Sequence, residues 1–207
     1  MERKLFITIF FTFLIYSSSA FALMELSGSF SYDRTVYGTK RQNKSIDRTW
    51  AGTIALFLYN YTAIELNYSY NDEIITENEI IPVDGFNLNL ISTQSKVHNE
   101  VFGVGIRQVF TGKNATIKPS LSLGYAKQFI TSTSSATYQD TSNSDLFLFH
   151  ADPSKLRVDS VFGTFSLQIR ISGRLSLKGS VNTLFPASDI NQAKDNLKYS
   201  VGFSWYL

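Results

Sequence analysis

Two histidines, His98 and His150, are the only side chains in this chain of 207 residues whose ordinary pKa lies near neutrality, and there is no cysteine. The missing thiol removes disulfides, thiolate metal sites, a cysteine nucleophile and a lipid anchor on cysteine. Around His98 the chain reads KVHNEVF, which in a strand puts His98 and Glu100 on one face. A histidine works as a general base when it faces a nucleophile and is itself oriented by a third group. No serine stands in such a motif beside His98, and His150 ends the apolar run DLFLFH behind a serine-rich stretch. No His-x-Ser pattern, paired-carboxylate motif, glycine-rich phosphate loop or metal-ligand spacing occurs. We therefore expect no catalytic residue, no metal, no cofactor and no enzyme. The net charge is +2 with no block of Lys or Arg, so nucleic acid is not an expected partner.

What remains are charges set singly into alternating segments, and their role depends on the elements that carry them. Hydrophobic residues make up 43% of the chain and charged ones 17%, so its polarity comes mainly from Ser, Thr, Asn and Gly. The start, MERKLFITIFFTFLIYSSSAFA, has a basic head, an apolar core over Leu5–Tyr16 and a small-residue exit ending at Ala22. That is the build of a secretory leader over 1–22, leaving 23–207 as the exported domain. An uncleaved anchor is the other reading, because Leu5–Met24 carries no charge.

Beyond the leader, period-two alternation marks eight segments: 25–34, 45–58, 62–71, 97–110, 115–130, 155–171, 174–185 and 196–207. The last shows the pattern most plainly. Leu197, Tyr199, Val201, Phe203, Trp205 and Leu207 fall on one face, with Lys198, Ser200, Gly202, Ser204 and Tyr206 on the other. Connections after the second, fourth and sixth segments are short and carry Gly or Asn, while the others are long. Short and long connections taking turns are the mark of a transmembrane up-and-down barrel, whose strands need about ten residues to cross a bilayer. The expected fold is therefore all-β, an eight-stranded antiparallel barrel whose apolar face is covered by lipid. Backbone groups in lipid must all be paired, so the eighth strand has to close on the first.

Ser200-x-Gly202-x-x-Trp205-x-Leu207 is similar to the C-terminal signal read by the barrel-assembly machinery, and the whole exported chain resembles the OmpA/OmpX/OmpW-like group of small outer-membrane barrels. The usual terminal residue of that signal is Phe or Trp; here it is Leu207. The resemblance implies a Gram-negative outer membrane, both termini in the periplasm, lipid and lipopolysaccharide as neighbours, and a monomer. Some small barrels are lipid A-modifying enzymes that use a His with a nearby Ser, the least favoured of the functional readings.

On this plan, bilayer interfaces should be marked by aromatics: Tyr59, Tyr61, Phe110 and Trp205 at the turn end, Trp50, Tyr68, Phe102 and Tyr125 at the loop end. The opposite faces supply a lumen network of Glu25, Asp33, Glu65, Arg107, Lys118, Arg170, Lys178 and Lys198. Eight strands leave an interior that side chains fill, which favours a polar plug with surface loops doing the work over a small passive channel for hydrophobic solutes. Loops 37–45, 72–96, 131–154 and 186–195 are the candidate ligand surfaces. The second can prolong its flanking strands as a protruding sheet around Asp84-Gly85. The Ser/Thr tract of the third reads as flexible, and its Leu146–Phe149 run as a cap on the barrel mouth. Lys40, Arg41, Lys44, Lys155 and Arg157 stand near the outer rim, within reach of lipopolysaccharide phosphates.

Overall fold

A computed structural model describes residues 24–59, 61–112, 115–187 and 196–207. The expected leader and most of the loop 186–195 lie outside the described residues. Ten strands follow in order: β1 Met24–Tyr37, β2 Asn43–Phe57, β3 Thr62–Glu77, β4 Ile81–Val83, β5 Leu88–Val109, β6 Ile117–Asp140, β7 Leu146–His150, β8 Ser154–Arg170, β9 Leu175–Pro186 and β10 Leu197–Tyr206. All pairings are antiparallel. β5, β3, β2, β1, β10, β9, β8 and β6 lie side by side, and β5 pairs β6 to close the ring. The seam expected from the sequence runs between β1 and β10, from Glu25 opposite Tyr206 to Phe30 opposite Val201. Closure leaves the eight-strand ring no free edge, as a wall without access to water requires.

Alternation sorts the faces of every wall strand. In β10 Tyr199, Val201, Phe203 and Trp205 point outward and are exposed, while Ser200, Gly202 and Ser204 are buried. In β6 Leu121, Leu123 and Tyr125 point outward between buried Ser120, Ser122 and Ala126. The barrel is thus inside out, with large apolar side chains outside and Ser, Gln and charge inside. An outer belt of this composition calls for an apolar cover, which a bilayer supplies to barrels of this kind.

Gly202 shows why β10 needs a glycine at this point. It faces Ser29 across the seam, and a Cβ there would coincide with the Gly28 carbonyl oxygen and stand 2.6 Å from the Ser29 Cα. Backbone cannot step aside as a side-chain tip can. Gly202→Ala should therefore wedge β10 off β1 and destabilise the barrel by about 1–3 kcal/mol, the ordinary range of overpacking. The check is the fraction migrating as a compact band on unboiled gels, which should fall. Gly52→Ala, whose Cβ would meet nothing within 4 Å, should leave that fraction unchanged.

Two expectations for the loops are corrected. The tract 131–140 is not a loop: β6 runs through it, paired with β5 from His98 opposite Thr131 up to Leu88 opposite Asp140. Threonine is β-branched and favours a strand when a partner is available, and β5 supplies one. The Leu146–Phe149 run does not cap the mouth either. It is β7, folded back on Ser135–Gln139 by a turn in which Asp140 Oδ1 accepts from Ser142 N (2.7 Å) and Asn143 Oδ1 from Asp145 N (3.0 Å). The segment 72–96 likewise contains the end of β3, the start of β5 and the short β4, which turns through Asp84-Gly85 with Gly85 at φ 81° onto Leu88–Leu90. β3, β5 and β6 thus rise beyond the ring as one sheet, edged by β4 and β7.

Candidate functional site

The lumen is crossed by one cation held between two anions. Arg107 on β5 donates from Nε to Glu65 Oε2 of neighbouring β3 (2.7 Å) and from Nη1 to Glu25 Oε1 of β1 (3.0 Å), and all three side chains are buried. Glu25 Oε1 also accepts from Gln168 Nε2 (2.7 Å), whose carbonyl end accepts from the Tyr206 hydroxyl (2.6 Å). This chain of contacts links β3, β5, β1, β8 and β10. Lys118 and Lys178 flank Gln168 in register on β6 and β9. The Lys118 ammonium lies 4.4 Å from the Tyr206 ring centre, and Lys178 Nζ is 3.4 Å from Ser27 Oγ. Arg170 stands on the same face of β8, two positions beyond Gln168.

Two residues expected in this network stand elsewhere. Lys198 is bound to Asp47 Oδ2 (2.7 Å) near the loop end, in a separate ladder where Asn71 donates to Asp47 and to Thr49. Asp33 lies opposite Asp47 in the β1–β2 register, is exposed, and makes no ion pair among the described residues. Both face inward, but too far along their strands to reach the Arg107 layer.

Above that layer the lumen is filled by a side chain that sequence reading left unplaced. Phe162 on β8 packs with Val101, Ala126 and Leu184 and lies against the inward glycines Gly103, Gly105 and Gly124. A Cβ on Gly105 or Gly124 would come within 2.6 or 2.5 Å of that ring. Only glycine lets β5 and β6 take an aromatic ring this close. Gln128 closes the next level, donating to Ser160 (2.5 Å) and accepting from Asn99 (2.7 Å).

Outside, Trp50, Tyr59, Tyr61, Tyr68, Phe102, Phe110, Tyr125 and Trp205 are all exposed. Tyr68 and Phe102 meet at 4.9 Å between ring centres, Phe30 and Trp50 at 4.5 Å. His98 stands on the outward face at the rim, its Nδ1 2.8 Å from Asp72 Oδ1 and 3.1 Å from the Tyr70 hydroxyl. That nitrogen either donates to the carboxylate or accepts from the phenol. Among the described residues no serine or threonine hydroxyl hydrogen-bonds to the imidazole. His150 is exposed on β7, and no cluster of metal-ligating side chains occurs among the described residues. Of the rim cations, Arg157 lies over the Phe129 ring at 5.5 Å.

The raised sheet carries a groove of about 440 Å³ on the face that continues the lumen wall, lined by Ile75, Glu77, Thr93, Ala136, Tyr138 and Phe149. At its edge Leu146, Phe147, Leu148 and Phe149 are each more than half exposed, on both faces of β7.

No protein-family model matches the chain, and no curated protein matches it by sequence. Solved structures do match it by shape. The N-terminal β-barrel domain of Pseudomonas aeruginosa OprF superposes with a TM-score of 0.51 at 13% identity, covering 89% of this chain and 97% of that one. The outer membrane protein OprG of the same organism gives a TM-score of 0.51 at 13% identity, covering 90% and 96%. At such identity the likeness shows the fold. The chain is a closed, up-and-down, eight-stranded antiparallel barrel of the kind that small outer-membrane proteins adopt.

Proposed function

We propose that this protein is an exported barrel of the Gram-negative outer membrane, folded by the barrel-assembly machinery and monomeric, with a closed lumen and a surface role carried by the sheet that β3, β5 and β6 raise outside. It is neither an enzyme nor a channel. The observation that carries the reading is that raised sheet, ending in β7, an unpaired edge with apolar side chains on both faces. Sheet edges of this kind take up an added strand from a partner. A solvated barrel mouth with no partner would have no use for Leu146–Phe149. The lumen argues the same way, since the Glu25–Arg107–Glu65 link and the Phe162 layer leave solute no clear path.

Single-channel recording on the chain refolded into a planar bilayer tests the closed lumen. We expect a silent bilayer from the fraction that shifts on gels with boiling. Discrete, reproducible steps would overturn the closed lumen in favour of the passive-channel reading, with the Arg107 layer as its gate.

A further inference from the structure

We propose that the outward face of β1, β2 and β3 is a seat for one phosphate-bearing acyl lipid of the outer leaflet, of the lipid A type. Gly28 and Gly52 hold the acyl chains, and Arg34, Arg48 and Lys44 hold the phosphates. The inference rests on the outer-membrane reading above.

Alternation puts a large apolar side chain at most outward positions of the belt; Gly28, Gly52, Gly163 and Gly179 break it, and of these Gly28 and Gly52 face each other on neighbouring strands. Packing within the chain does not require them. A Cβ at Gly52 would meet nothing within 4 Å, and one at Gly28 only the Ala51 carbonyl oxygen at 4.0 Å. Gly105, Gly124 and Gly202 differ, because a Cβ at each would collide with its surroundings. What this facing pair of glycines does is leave a trench of about 810 Å³ in the outward surface. Phe203 and Trp205 wall one side, Tyr68 and Phe102 the other, and Leu26 and Ile54 line it further down the strands. Such a trench in hydrocarbon has to be filled by chains, and aromatic walls let them pack at close range.

The position of the trench selects the lipid. One step along the outward face, Phe30 and Trp50 meet as a facing pair at the loop-end girdle, so the trench, which runs down to Trp205 at the turn end, opens toward the outer leaflet at Gly28 and Gly52. One step further the face turns basic: Arg48 stands opposite Tyr32, Arg34 opposite Ile46 and Lys44 opposite Val36. Among the described residues none of these three cations makes an ion pair or a side-chain hydrogen bond. The outward carboxylates nearest in register are Asp72, which stands opposite Arg48 but lies 2.8 Å from His98 Nδ1 and makes no ion pair with the arginine, and Glu100 on β5. Three unpaired cations above an acyl-sized trench match a lipid with several chains and phosphate on its head, which two guanidinium forks grip directly.

The test is native mass spectrometry of the full chain refolded in phosphatidylcholine vesicles doped with lipid A or with its dephosphorylated form. Four proteins are compared: the unaltered chain, Gly28→Leu/Gly52→Leu, Arg34→Gln/Arg48→Gln, and Leu56→Ala as an outward control. The unaltered barrel should retain one lipid A through detergent exchange. The arginine variant should lose its preference for the phosphorylated form by about tenfold or more, and the leucine variant should lose both forms. Equal retention by all four proteins would overturn the seat. A mass of two chains that the leucine variant abolishes would overturn it in favour of a self-contact. If no protein inserts into vesicles and shifts on gels with boiling, the outer-membrane reading fails instead.

Discussion

Arg107→Met should lower the unfolding free energy of the refolded barrel by about 3–5 kcal/mol, the range for removing one partner from a buried ion pair. The substitution fills a similar volume but leaves Glu25 and Glu65, each almost fully buried, without the cation that both contact. Gln168 still donates to Glu25, and Asn67 to Glu65 (3.1 Å), so neither carboxylate is stripped of every partner. Lys178 lies in the same layer and offsets part of the lost charge, which places the result toward the lower end of the range. The triple variant Glu25→Gln/Glu65→Gln/Arg107→Met should recover most of the loss, because a neutral layer carries no unpaired buried charge. Urea titration in vesicles, followed by tryptophan fluorescence and gel mobility, reads both. A single variant as stable as the unaltered chain would mean that water solvates this layer and the lumen is not closed there.

How much of this was legible in the sequence follows from which constraint acts on each residue. The wall strands were legible because an apolar outer face and a filled polar interior impose a strict two-residue period, and Leu121, Leu123 and Tyr125 cannot change face without breaking it. The pairing of Arg107 with Glu25 and Glu65 was legible only as a set of inward charges. Which of them meet depends on shear, that is on how far the register is staggered along the strands between β1 and β5, and no local pattern records that. Asp33 and Lys198 share the inward face with Arg107 yet stand levels away for this reason. Gln168 and Phe162 were missed because neither charge nor outward alternation marks them. The one available signal for Phe162 was indirect, in the inward glycines Gly103, Gly105 and Gly124 that make room for its ring. The raised sheet was half legible. Asp84-Gly85 announced a hairpin, but a Ser/Thr-rich tract has the composition of a loop, and only the presence of β5 alongside makes 131–140 a strand.

Leu123→Arg should cost about 2–4 kcal/mol in vesicles, as a cation near the bilayer midplane on the lipid face of a barrel does. Leu123 is outward, 58% exposed, and flanked in register by Ile106 and Gly163, so nothing within the protein can pair the new charge. The depth dependence is already written into the same strand. Four residues on, Lys127 stands outward with Asp159 at 3.8 Å, where a cation is close enough to the interface to reach water. Thr131→Arg, further out still, should therefore cost about 0–1 kcal/mol. Ser122 makes a poor control for the inner face, because it is buried opposite Arg107 and an arginine there adds both bulk and like charge. The sign of the Leu123 result decides more than a register. On a barrel that stood in water, trading a half-exposed leucine for arginine would change stability by no more than about 0.5 kcal/mol either way. A loss of several kcal/mol arises only if hydrocarbon covers that face, so one folding titration of Leu123→Arg beside Thr131→Arg separates a membrane wall from a solvated one.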